Sequence, residues 1–217
     1  DDTGSRGLGD VYKRQAESIA LMGLGHVVIT CVDRDDLPDG GAAIWAETIE
    51  RVHEACPDTS VECLIGDHQG RHDELDTIIA AKPEILSHNM ETVRRMHPAV
   101  RPQARYERSI DVLQHIRESG LVTKTGIMVG IGERDDEVFE LMQDLRDAAD
   151  IHILTVGQYL QPTRNHLPID RWVTPESFDQ YRESGLKLGF SVVESGPLVR
   201  SSYHAEEQAA KLSPTQR

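Results

Sequence analysis

Short apolar runs alternate with amphipathic stretches along most of the chain. The runs HVVITC at 26–31, SVECLI at 60–65 and ILTV within 151–156 are rich in β-branched residues. Such runs are typical of strands buried on both faces of a parallel sheet. The stretch that follows the first run, 42–55, has Ile44, Ile49 and Val52 at helical spacing. The pattern therefore predicts repeated strand–helix units.

Extended over the chain, the same pattern predicts one α/β domain. Strands are expected at 26–31, 60–65, 85–86, 124–129, 151–156 and 190–193, and helices at 42–55, 73–81, 106–119, 136–149 and 176–187. Repeated units of this kind form a parallel sheet with right-handed crossovers. About six strands make most of a barrel, which has eight when it is closed. The periodicity alone leaves an open doubly wound sheet and a partial barrel as alternatives.

The two ends of the chain depart from this pattern. Residues 1–15, DDTGSRGLGDVYKRQ, have no clear period and predict a disordered or foreign leader. The repeating domain is expected over 16–204, beginning with the end of a helix that stops at glycine. Residues 205–217 predict a C-terminal tail with a fraying helix.

Composition and charge narrow the classes of function. The formal net charge is −14 and the sequence pI is about 5.1, which disfavours binding to nucleic acid and to anionic membranes. No apolar run approaches the roughly 20 residues that span a bilayer, and no signal peptide is recognised. Cys31, Cys56 and Cys63 lack zinc-like or C-x-x-C spacing, so reduced thiols and a cytoplasmic location are expected.

Polar residues follow the predicted strands. Because the carboxyl ends of parallel strands meet at one rim, these residues should face a common ligand. Their acceptor groups suit sugar hydroxyls or an ammonium group. For any single aspartate, capping the next helix is the alternative role. The candidates at the rim include Asp33, Asp35, Asn89, Glu91, Glu133 and Gln158.

Several common catalytic motifs are absent from the sequence. The histidines are scattered without H-x-x-x-H or H-E-x-x-H spacing, and there is no G-x-S-x-G nucleophile elbow. The glycine turn before Glu133 lacks the lysine of a Walker loop. The residues alone therefore indicate a barrel-like enzyme or binder of small molecules.

Five longer stretches carry a family resemblance: HVVITCVDRDDLPDGGA, ILSHNMETV with VRPQARYERSI, KTGIMVGIGE, TVGQYLQPTRNHLPIDRWVTPESFD and GPLVRSSYHAEEQA. In this order, over about 16–210, they resemble lipoyl synthase of the radical S-adenosylmethionine superfamily. The resemblance implies a partial (β/α) barrel, here without its first unit. It also implies insertion of two sulfur atoms into an octanoyl chain on a lysine of a lipoyl carrier domain. The carrier would be H protein or a dehydrogenase E2 subunit, and an electron donor would take part.

The resemblance further implies S-adenosylmethionine and two 4Fe-4S clusters as cofactors. The family's C-x3-C-x2-C and C-x4-C-x5-C motifs are absent from the sequence, and the three cysteines have other spacings. Iron–sulfur clusters need thiolate ligands. The chain therefore resembles the C-terminal portion of the enzyme, and we expect it to be inactive by itself.

Some site roles follow from the matched motifs. Ser202 of RSSYH, with Ser201 as the alternative, would ligate an iron of the auxiliary cluster. Asn89 and Glu91 would hold the ribose of S-adenosylmethionine, and Arg101 would bind its carboxylate. The remaining candidates are Asp33 and Asp35, where related enzymes receive the methionine amino group, and Glu133 and Gln158 on the same rim.

Two other functions remain as alternatives. The first is a cluster-free barrel that binds S-adenosylmethionine, or a carrier domain, without catalysis. The second is an aldolase-like barrel. Lys124 lies at the start of a predicted strand, the wrong end of a barrel for a Schiff-base lysine, so the sequence disfavours the second alternative.

Overall fold

The computed structural model describes residues 6–212, with side chains described from residue 14 onward. Within these residues, six strands form one sheet: β1 His26–Thr30, β2 Ser60–Leu64, β3 Ile85–Ser87, β4 Val122–Val129, β5 Ile153–Gln158 and β6 Val192–Gly196. The helices are α1 Arg6–Met22, α2 Ala42–Ala55, α3 His72–Ala80, α4 His97–Val100, α5 Tyr106–Glu118, α6 Asp135–Ala149, α7 Pro175–Leu188 and α8 Ala205–Lys211.

Strand order decides between the two sheet architectures. The six strands lie in chain order, each parallel to the next. A doubly wound sheet reverses its order at a switch point, and this sheet does not. Right-handed crossovers that always advance in one direction place the helices on one face. The opposite face becomes an interior, which confirms the α/β fold class and the partial (β/α) barrel.

The outer face of the sheet is covered by two apolar clusters. One joins β1–β3 to α1, α2 and α3, with Val61, Ile49 and Leu75 fully buried. The other joins β4–β6 to α5, α6 and α7 around Leu141 and Val156. Burying these strand and helix faces removes apolar surface from water and holds the layers together.

The inner face carries a buried ion pair below the rim. Lys124, the third residue of β4, places Nζ 2.8 Å from Oε1 of Glu62 on β2, and both side chains are inaccessible to solvent. Burial lowers the pKa of Lys124, and the nearby Glu62 carboxylate opposes that shift. Farther down, Leu212 after α8 packs with Ile85, Ile153 and Val192 and fills the bottom. The barrel interior is therefore filled below the rim, and its open space lies at the upper rim.

The start of the described chain differs from the sequence-based expectation. Helix α1 begins at Arg6, so residues 6–15 belong to the same helix as residues 16–22, and this helix packs on α2. Ala16 and Ile19 are buried against the first apolar cluster, which gives this helix a reason to persist. Residues 1–5 and 213–217 lie outside the described residues, and the foreign origin of the leader stays a prediction.

Candidate functional site

Two adjoining cavities lie at the carboxyl ends of the strands, and Asn89 and Glu91 line both. The β4–β6 cavity, of about 260 Å³, is also bounded by Gly126, Thr155 and the turn after β6. The β1–β3 cavity, of about 410 Å³, is bounded in addition by the ends of β1 and β2 and by Arg101. Asn89 and Glu91 thus form the ridge between the two halves of the rim.

A break in the β3–β4 pairing places this ridge. His88 N donates to Lys124 O at 3.1 Å, and the ladder resumes where Glu91 N donates to Gly126 O at 3.0 Å. The residues between them bulge out of the strand. Glu91 has a φ of +64°, in the left-handed region that costs a non-glycine residue about 1 kcal/mol or more. This geometry turns both Asn89 and Glu91 toward the rim.

The Glu91 carboxylate is held in a mostly desolvated position. Asn89 Nδ2 donates to Glu91 Oε1 at 3.1 Å. Burial raises the pKa of Glu91, and the Asn89 hydrogen bond and the Arg101 charge oppose the rise. An acceptor and an amide side by side in this environment suit a ligand that offers hydroxyl groups.

Two inward-facing glycines keep the β4–β6 cavity open. A Cβ at Gly126 would lie 2.7 Å from Thr155 Oγ1 and 2.9 Å from Asn89 Oδ1. A Cβ at Gly157 would collide with the backbone oxygen of Val199. These contacts show that the turn after β6 rests directly on β5, where only glycine leaves enough room.

Arg101 supports the ridge from the β1–β3 side. Its Nη1 donates to Asn89 O at 2.9 Å. His88, directly before the ridge, is buried, with Nδ1 3.1 Å from Ile65 O and Nε2 3.0 Å from Ser109 Oγ. Burial and the Arg101 charge lower the pKa of His88 to about 4. The imidazole is therefore neutral at pH 7; since a carbonyl can only accept, Nδ1 carries the proton.

The aspartates of the acidic loop after β1 have different roles. Asp33 lines the β1–β3 cavity, and with Asp35 it also lines an outer groove beside Arg101. Asp39 accepts from Gly41 N and Ala43 N, both at 3.0 Å, and so performs the helix-capping role that was the alternative for these aspartates. Asp36 forms an exposed ion pair within the loop.

Glu133 and Gln158 hold loops at the rim. The Glu133 carboxylate accepts from Gly130 N at 2.7 Å and Ile131 N at 3.0 Å, and it pairs with Arg171 at 3.1 Å. Gln158 borders the β4–β6 cavity, but its Oε1 accepts from Val173 N at 2.9 Å. The polar atoms of both side chains are thus bonded to protein. Ligand contact by either residue stays a prediction.

Sequence reasoning missed Arg171. Its guanidinium joins Glu133, Asp135 at 2.6 Å and Tyr181 at 3.3 Å, and so ties the loop after β5 to α6 and α7. These hydrogen bonds and the adjacent Asp135 raise the pKa of Arg171. No local motif marks it, because its partners are far away in sequence.

The RSSYH turn reaches the same rim. Arg200 and Ser201 line the β4–β6 cavity together with Asn89 and Glu91, whereas Ser202 has an exposed side chain and is not among the cavity residues. The structure therefore brings Ser201, the alternative, into the cavity wall. An iron-ligand role for either serine stays a prediction.

The cysteines do not fit an iron–sulfur cluster. Cys31 is exposed at the rim, Cys56 is the C-cap of α2, and Cys63 is buried in the outer apolar cluster. Burial raises the pKa of Cys63, and partial desolvation together with the nearby Asp33 charge raises that of Cys31, which disfavours both thiolates. Among the described residues, no group of three or more His, Cys, Asp or Glu side chains could hold a metal ion. None of the helices in residues 6–212 is long and apolar enough to cross a membrane.

Comparison with solved structures identifies the architecture. Methylornithine synthase (PylB) matches with a TM-score of 0.61 at 15% identity, covering 86% of this chain and 61% of that one. HydG, a maturase of the FeFe hydrogenase, matches with a TM-score of 0.60 at 14% identity, covering 93% and 55%. At such low identity, these matches show a shared fold only.

Sequence comparisons are more specific. The model of the Radical SAM superfamily matches residues 9–145. Lipoyl synthase of Parabacteroides distasonis is 58% identical over 192 residues, which is 88% of this chain and 68% of that protein. Lipoyl synthase of Rubrobacter xylanophilus is 52% identical over 197 residues, covering 90% and 61%. The chain thus spans about two thirds of the length of these relatives. It belongs to the lipoyl synthase family of the radical SAM superfamily.

Proposed function

We propose that this chain forms the S-adenosylmethionine and substrate pocket of a lipoyl synthase. The enzyme would insert two sulfur atoms into the octanoyl chain on a carrier-domain lysine, with H protein or a dehydrogenase E2 subunit as carrier and an electron donor as reductant. The observation that carries the proposal is the ridge of Asn89 and Glu91, with Arg101 on one side and Arg200 and Ser201 on the other.

The ridge fits the polar groups of S-adenosylmethionine. Asn89 and Glu91 would bind the ribose hydroxyls, Arg101 would bind the carboxylate, and Asp33 or Asp35 would accept from the ammonium group. S-adenosylmethionine supplies the radical chemistry that removes hydrogen from unactivated carbons. The protein orients both ligands and excludes water. Glu133 and Gln158 act indirectly, by fixing the loops that wall the cavity.

The three cysteines do not fit the two 4Fe-4S clusters, so we derive no step through a cluster and propose that the isolated chain is inactive. A serine ligand to the auxiliary cluster would come from the RSSYH turn. The cavity position of Ser201 favours it over Ser202.

A chimera tests the activity. In it, this chain replaces the matching 192 residues of the Parabacteroides distasonis enzyme. We expect the reconstituted chimera to convert an octanoylated carrier to the lipoyl form, measured by mass spectrometry. Ser201→Ala should keep cleavage of S-adenosylmethionine but lose lipoyl formation, whereas Ser202→Ala should retain both. A chimera with intact clusters and no lipoyl product would contradict the proposal.

The cluster-free alternative is also supported by an observation, because the ridge is complete without any thiolate. It predicts that the isolated chain binds S-adenosylmethionine and that Asn89→Ala weakens this binding. Calorimetry on the 217-residue chain measures it. Tight binding by the chain together with an inactive chimera would favour a binding role.

A further inference from the structure

A surface on one side of the rim combines exposed apolar and basic side chains. Four of the large apolar side chains that remain exposed lie in the loops after β5 and β6 or in the turn beyond: Leu160 at 47%, Trp172 at 68%, Leu198 at 78% and Tyr203 at 39%. Arg164 and Arg200 lie in the same segments. We refer to these six residues as the β5–β6 surface.

Specific contacts hold the segments of this surface together at the cavity mouth. Leu160 lines the β4–β6 cavity together with Arg200 and its neighbour Val199. Tyr159 Oη donates to Leu167 O at 2.8 Å and folds the loop after β5 back on itself. Gln158 Nε2 lies 3.1 Å from Tyr159 O and 3.2 Å from Arg171 O, which brings the segment before Trp172 alongside the one before Leu160.

The charge of this surface differs from that of the rest of the molecule. Residues 160–172 and 197–204 contain three arginines and one aspartate, in a chain whose formal net charge is −14. Arg171 is paired with Glu133 and Asp135, so Arg164 and Arg200 carry the positive charge of this surface. On the opposite side of the rim, residues 31–41 contain four aspartates and one arginine. An acidic partner would be repelled by the β1 side and attracted to the β5–β6 side.

We propose that the β5–β6 surface docks an acidic folded domain, the carrier that presents the acylated lysine. This inference rests on the proposed function, because that function supplies a macromolecular substrate whose side chain must enter the cavity beside Leu160. Exposed tryptophan and arginine next to aliphatic side chains are the residue types that dominate protein–protein binding energy. The carrier body would contact Trp172 and Arg164, and the lysine arm would pass Leu160 and Arg200.

Binding measurements on the full chain test the docking surface. The probe is an octanoylated lipoyl domain with acidic residues around its modified lysine, titrated by calorimetry at low salt. Trp172→Ala should weaken binding about ten-fold or more. Arg164→Glu should weaken it about five- to ten-fold at 50 mM salt, with a smaller effect at 300 mM. Arg51→Glu, an equal charge change on the outer face of α2, is the matched control and should leave the dissociation constant unchanged.

The outcomes separate the docking surface from the proposed function. Weakening by both rim variants but not by the control supports the inference. Binding that is insensitive to both rim variants overturns the inference and leaves the proposed function standing. If the wild-type chain binds no octanoylated domain while the chimera makes lipoyl product, the inference alone fails. If the rim variants weaken binding to anionic vesicles but not to the octanoylated domain, the surface would bind a membrane. That result would also overturn the inference.

Discussion

The two halves of the barrel build their parts of the rim in different ways. Every residue of β5 is buried, whereas β1 is half-buried along most of its length. In the second half, the loops are fixed by Arg171 and its carboxylate partners, and in the first half by the neutral imidazole of His88. The β4–β6 side of the rim is therefore the more buried and more cross-linked of the two, and the β1–β3 side is the more open one.

The halves are joined inside the barrel by the ion pair of Lys124 and Glu62, so breaking it should have the largest effect. Lys124→Met removes the ammonium group from the buried Glu62 carboxylate and leaves it only the imidazole of His26, whose Nε2 lies 3.6 Å from Oε2. The free energy of unfolding should fall by about 3–5 kcal/mol. Urea unfolding followed by circular dichroism measures the change. The double variant Lys124→Met with Glu62→Leu should recover most of the loss. A single variant as stable as the wild type would show that the pair does not join the halves.

The first half should carry the largest acid sensitivity through His88, since the pKa of His152 beside β5 is also lowered by burial but His88 is the more deeply buried of the two. The folded-state pKa of His88 is lowered to about 4 from an ordinary 6.5, so the unfolded chain binds the proton first. Stability should therefore be complete above pH 6.5 and fall as the pH drops toward 4, by about 3 kcal/mol in total. His88→Gln, which can still donate to Ile65 O, should remove this part of the pH dependence.

Unfolding measured at several pH values between 7 and 4 distinguishes His88 from other groups. His166, an exposed histidine in the loop after β5, is the matched control, and His166→Gln should leave the slope unchanged. An unaltered slope in His88→Gln would assign the acid sensitivity to another group.

Local patterns predicted the elements but not the orientation of the site residues. The strands were found because a buried parallel strand has a continuous apolar signature. Their bounds were less exact: β4 begins two residues before its predicted start, and β5 and β6 both begin and end two or three residues after their predicted bounds. Periodicity could not decide between a doubly wound sheet and a partial barrel, because strand order depends on contacts between distant segments. Asn89 and Glu91 were placed at the rim by their position after β3. The inward turn of Glu133 toward Gly130 N and the distant partner Arg171 have no local signal.

The second half should respond less, because its anchor has several partners. Glu133→Gln keeps the size of the side chain but places an amide hydrogen against Gly130 N or Ile131 N and removes the charge that faces Arg171. The free energy of unfolding should fall by about 2 kcal/mol, since Arg171 keeps Asp135. Glu140→Gln, an exposed change on α6, is the control and should be neutral. The affinity for S-adenosylmethionine should fall with Glu133→Gln, because the loop that borders the cavity loosens. Unchanged stability and affinity would mean that the β4–β6 wall does not depend on this anchor, and that the contrast between the halves lies in strand burial alone.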